Sequence, residues 1–133
     1  MRGLTMVCAA AVTIAASARQ GGAEEERLVL PSGLEAGLQE VLQEEGGGAP
    51  VLRFRFVAPG LDRAAGLEVV SADLEHLCNA YALPNAPDAE ATGATIIVSV
   101  GDGPSEFGVA DPDVVQVFEA YRVENGLCIW EVF

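Results

Sequence analysis

Lysine is absent from this chain. All seven basic residues are Arg, set against twenty Asp and Glu, and the formal net charge is −13. A domain so acidic is repelled by nucleic-acid phosphates and anionic lipid, and no basic stripe with interleaved aromatics offsets that, so nucleic acid is excluded as a partner. Histidine is nearly absent too. His76 is the single one, which leaves no histidine pair for a zinc site and no serine or cysteine spaced to make it a catalytic base. Long hydrophobic runs are also missing. The one N-terminal apolar stretch, Leu4 to Ala16, is too short and too rich in Ala to span a bilayer comfortably.

That stretch reads as an export signal. Arg2 supplies a minimal charged start, and Ala16-Ser17-Ala18 places small residues where a signal peptidase reads, which predicts residues 1–18 as a signal peptide cleaved before Arg19. Removing Arg2 with it takes the charge from −13 to −14. The expected compartment is the bacterial periplasm or the exterior, with no stable membrane insertion after cleavage. Residues 19–27, with Gly21-Gly22 and Glu24-Glu25-Glu26, have no apolar periodicity and read as a disordered acidic lead. Residues 28–133 form one domain, large enough for a single core.

Cysteine is scarce, and its scarcity is informative. Of three, Cys8 leaves with the signal, so Cys78 and Cys128 remain as a pair in an oxidising compartment. Cys128 lies in Val117 to Phe133, two β-branched and aromatic runs around Asn125-Gly126, the dipeptide of a type I′ hairpin turn. That register sets Val123 opposite Cys128, Tyr121 opposite Trp130 and Glu119 opposite Val132, and predicts that Val123, Tyr121, Cys128 and Trp130 share one core-facing side. Cys78 lies on the best helical stripe, Leu74, Leu77, Cys78 and Tyr81, in a helix expected over 71–82 with Ser71 as cap, Asp73 and Glu75 in its first turns and Pro84 as its stop. A Cys78–Cys128 bond would staple that helix to the hairpin.

Elsewhere, Leu28-Val29-Leu30 suits an edge strand. Leu34 to Glu45 has apolar residues at helical spacing yet runs through Gly46-Gly47-Gly48 into an evident strand, and is read as a strand. In Val51 to Ala58, Leu52, Phe54, Phe56 and Ala58 alternate with Arg53 and Arg55, whose partners are expected to be Glu40 or Glu44 across the ladder. Pro59 to Gly66 reads as a loop, Leu67 to Val70 as a short strand, Asn85 to Gly93 as a polar loop, and Ala94 to Val100 as a central strand apolar on both faces. The fold class is α+β, a small, mainly antiparallel sheet with one principal helix.

Gly101 to Asp113 holds the residues closest to a site. Asp102, Glu106, Asp111 and Asp113 are candidate oxygen ligands for calcium, though the spacing is not that of an EF-hand and turn-rich loops contain the same residues. Phe107, flanked by polar and glycine residues, is either a plug for the core, the plainer reading, or an exposed anchor for a partner. Gly101-Asp102-Gly103 lacks the remaining glycine and helix of a nucleotide fingerprint.

Three runs in combination, Leu74-Glu-His-Leu-Cys-Asn-Ala-Tyr-Ala-Leu-Pro84, Glu106-Phe107-Gly108 with Asp111-Pro112, and Phe118 to Phe133, resemble a family of small exported alphaproteobacterial proteins of unknown function. The resemblance implies a periplasmic protein and carries no active site. Some such sequences bear the label acetolactate synthase. That reaction needs thiamine diphosphate and a metal held between large domains, for which this chain has neither the length nor the motif. No resident cofactor is expected beyond the calcium candidate. The reading is a disulfide-stapled interaction or accessory module without catalysis; the alternatives are a calcium or small-ligand domain using the 102–113 loop, and a small carboxylate-dependent hydrolase.

Overall fold

The computed structural model of the chain describes residues 3, 26–45 and 47–132. Apart from Gly3, the expected signal peptide lies outside the described residues, as does the acidic lead up to residue 25. The chain runs β1 (Leu28–Val29), β2 (Glu35–Glu44), β3 (Val51–Val57), α1 (Leu67–Leu77), a π-helical turn (Cys78–Ala82), α2 (Ala89–Thr92), β4 (Thr95–Gly101), β5 (Gln116–Glu124) and β6 (Leu127–Trp130). Six strands in the order β1-β2-β3-β4-β5-β6 make the sheet, antiparallel everywhere except β3 against β4. The one parallel step is the one whose connection is helical, as a parallel pair requires. Among the described residues there are six strands and one helix longer than five residues, so the domain is more β than a balanced α+β reading implies.

The alternation of β3 and β4 fixes the two faces. Phe54, Phe56, Ile96, Val98 and Val100 point to the side covered by α1, where they are all but excluded from solvent with Leu74, Leu77 and Cys78. Tyr81 completes this core, its ring edge-on to Phe56 at 5.5 Å and to Phe54 at 6.3 Å. The predicted stripe of Leu74, Leu77, Cys78 and Tyr81 therefore does face the sheet. Cys78 and Cys128 lie at disulfide distance, Cα atoms 6.2 Å apart and 50 residues apart in sequence.

The final hairpin turns at Asn125-Gly126, both with positive φ (50° and 73°), in the predicted register of Val123 with Cys128 and Tyr121 with Trp130. β6 stops at Trp130, so the expected Glu119–Val132 pair is not part of the ladder. Trp130 is also not in the core. It is 55% exposed, because α1 and its terminal turn cover Cys128 and Tyr121 and stop short of it.

Three further expectations fail around the helix. Leu67 to Val70, β-branched in composition, is not a strand but the first turn of α1, since Val70, Leu74 and Leu77 together form the buried stripe and tertiary packing overrides local propensity. The N-cap is consequently Gly66, in extended conformation, and not Ser71. Ser71 sits within the helix and donates to Glu119 Oε1 at 2.8 Å, while Asp73 is buried and accepts from the Ser32 backbone N–H (3.0 Å) and hydroxyl (2.5 Å). Asn85 to Gly93 contains a helical turn, α2, which Gly93 ends in the left-handed region (φ 69°). No helix among the described residues is long and apolar enough to cross a membrane.

Candidate functional site

The face of the sheet turned away from α1 carries the unusual residues. The strand register aligns Glu40, Arg55, Ser99 and Phe118 in one row across β2 to β5, and Leu42, Arg53, Ile97 and Ala120 in the next. The expected cross-strand pairs form: Arg53 Nε donates to Glu44 Oε1 at 2.8 Å, and Arg55 Nη1 donates to Glu40. Arg55 is nonetheless buried, 4% exposed. A buried guanidinium is tolerable only when paired and hydrogen-bonded, and here Glu40 supplies the charge and Ser105 Oγ a second acceptor at 3.0 Å.

What buries it is the loop between β4 and β5. The loop is tied at its base, where Asp102 N–H donates to the Val115 carbonyl (3.0 Å) and Asp102 Oδ1 accepts the Val115 N–H (2.9 Å). Space is tight at Gly101, where a Cβ would lie 3.1 Å from the Gly103 carbonyl oxygen and would press on the loop base. The loop then folds across the outer face. Gln39 Nε2 holds the Ser105 carbonyl at 2.8 Å, and the Phe107 ring lies over both guanidinium groups, 5.1 Å from Arg53 Cζ and 5.6 Å from Arg55 Cζ. Phe107 thus plugs no core. It is 44% exposed and rests on the opposite side of the sheet from the helix, because two arginines already on that face offer its ring a favourable seat.

Between this loop and β5 lies a cleft of about 290 Å3, with Ile97 and Ser99 as its floor, Phe107 to Ala110 as one wall and Phe118 with Gln116 as the other. Phe118 is 66% exposed. Ser99 is 7% exposed and lines the floor of the cleft. A wider groove of about 570 Å3 at the β1–β2 end has as its charged groups Arg27 and Glu35, which pair with one another at 3.4 Å. It therefore lacks convergent polar groups of its own.

The four candidate calcium ligands are all on the loop, but two carboxylates are engaged in its geometry: Asp102 at the base, and Asp111, whose Oδ1 accepts the Asp113 N–H at 3.0 Å. No group of three or more His, Cys, Asp or Glu stands close enough to share a metal ion among the described residues. Glu106 lines the cleft; Asp113 does not. His76 is exposed on α1.

On the helix side, Glu119 is half-buried and receives two hydroxyls, from Ser71 and from Tyr121 (2.9 Å to Oε2). Burial, first, and then the adjacent Glu119 and the charge of Glu75 push the Tyr121 phenol well above its ordinary value.

Ser99, Ile97 and Phe118 carry no motif, and sequence reasoning did not single them out. The signal that could have found them is strand phase: Phe118 alternates with Val117, Glu119 and Tyr121, so a strand that buries Tyr121 must present Phe118 on the opposite face.

No curated protein matches the chain, and no solved structure does. Residues 7–133 match the model described as "Family of unknown function (DUF6497)". The chain belongs to that family of unknown function.

Proposed function

We propose that this is an exported, non-catalytic interaction module, and that it receives a protein partner on the outer face of its sheet. The observation that carries the reading is the pairing of opposite faces. One is sealed by α1 and the disulfide-distance cysteine pair, and the other is left open with Phe118, Phe107 and Val109 exposed around two ion-paired arginines. Aromatic residues beside Arg are what binding hot spots are enriched in. The arginines are neutralised in place by Glu40 and Glu44, so within a strongly acidic molecule this face is close to charge balance, and a partner meets least repulsion there.

The reading is tested by gentle crosslinking of the tagged protein in a native extract, comparing Phe118→Ala with Leu67→Ala, a substitution at an exposed position of the helical layer. The expected result is a stoichiometric partner retained by the wild type and Leu67→Ala and lost by Phe118→Ala. A partner that both variants retain, or none from any of them, contradicts it.

A further inference from the structure

We infer that the outer-face cleft recognises an aromatic residue bearing a free carboxylate, as at the C-terminus of a partner polypeptide, with the ring between Phe107 and Phe118 and the carboxylate on Arg53. This rests on the interaction-module reading and names the chemistry of its site.

Size comes first. A cleft of about 290 Å3 is at the lower limit of pockets that enclose whole ligands, and suits a single residue. One wall is the loop segment Phe107 to Ala110, with Phe107 seated over Arg53 and Arg55 of β3, and the other is Phe118 of β5. The strands β3 and β5 are two strand spacings or roughly 10 Å apart, which leaves room for one flat group over β4. Ile97, Phe107, Val109 and Phe118 form the apolar part of a lining that also holds Ser99, Glu106 and Gln116, and an aromatic ring suits that apolar part.

The polar groups then select the other half of the ligand. Arg53 spends Nε on Glu44, and its two terminal nitrogens have no partner among the described residues. Those nitrogens form the outer edge of a guanidinium, the geometry that binds a carboxylate through two parallel hydrogen bonds. Ser99, on the same floor, places a hydroxyl donor in the cleft lining. A cationic head would meet two guanidinium groups. A dianionic phosphate would meet the charges of Glu40, Glu44 and Glu106 as well as the net −13 of the chain. A monoanion matches the fork with the least opposing charge. The surrounding field adds a condition on the rest of the partner, which must be neutral or basic next to this terminus.

The probe is N-acetyl-L-phenylalanine, compared with its neutral amide, N-acetyl-L-phenylalaninamide, in a titration followed by the backbone amide resonances of the 15N-labelled protein. The free acid is expected to give saturable shifts centred on Ile97, Ser99, Phe107 and Phe118, and the amide to bind about tenfold more weakly or less, since one charge-assisted contact is lost. Arg53→Gln, checked for an unchanged spectrum in the core, is expected to bring acid and amide to the same weak affinity. Phe118→Ala is expected to weaken both. No saturable shift with the acid, or equal affinities of acid and amide for the wild type, overturns the assignment. If the crosslinked partner still depends on Phe118 while the acid does not bind, the carboxylate assignment falls and the module reading stands. Loss of the partner dependence removes both.

Discussion

Asn79 Oδ1 accepts the backbone N–H of Cys128 at 2.9 Å. The residue after one cysteine of the pair therefore caps the sheet edge at the other. In the hairpin register, Val123 and Cys128 are a non-hydrogen-bonded pair, so this N–H points away from β5, and without Asn79 it would be an open donor on the apolar edge strand Leu127-Cys-Ile-Trp130. Asn79→Ala is expected to destabilise the fold by about 1–3 kcal/mol and to accelerate hydrogen exchange at Cys128. An unchanged exchange rate at that amide would show that water serves it as well.

The cysteine pair closes a 50-residue separation. In the chain-entropy model that constraint is worth about 4 kcal/mol, so the Cys78→Ala, Cys128→Ala double variant should lose about that much in urea unfolding of the oxidised protein. Reducing the wild type should shift its midpoint to that of the double variant. Coincident midpoints before reduction would mean that the chain is stable without the bond.

Phe107 seats the β4–β5 loop on Arg53 and Arg55. Phe107→Ala should cost about 1–2 kcal/mol from the two cation–π contacts and increase exchange from Asp102 to Val115, leaving the amides of α1 unaffected. Exchange rising in α1 instead would place Phe107 in the core after all.

Alkaline stability should report on Tyr121. Its folded pKa is raised, by burial first and Glu119 second, above the unfolded value of about 10. Below pH 10 both states hold the proton and the contribution is fully present. Above it the unfolded chain loses its proton first, so stability falls by about 1.4 kcal/mol per pH unit until the buried phenol ionises. Tyr121→Phe should decline less steeply than the wild type between about pH 10 and 12. Parallel declines would mean that the phenol is not held neutral by the fold.

Much of this was legible in the residues. Asn125-Gly126, the alternation of Val51 to Val57 and the 74-77-78 stripe each state a local geometry that tertiary packing merely completes, which is why the hairpin register, the Arg–Glu pairs and the Cys78–Cys128 approach could be anticipated. Leu67 to Val70 could not, since its β-branched composition and its place on the helical stripe pull in opposite directions and only contact with the sheet decides. Phe107 was misplaced for a related reason: a lone aromatic in a loop has no periodicity, and which face receives it depends on where Arg53 and Arg55 already point. The cleft gathers residues from β3, β4, β5 and one loop, so no contiguous stretch could announce it.

The central claim, that the open face and not the helical layer is the recognition surface, is tested most directly by a photo-crosslinking residue placed at position 118 or at position 67 and activated in cells producing the protein. The account predicts a discrete adduct with one partner from position 118 and none from position 67. An adduct from position 67 alone, or from neither, would contradict it.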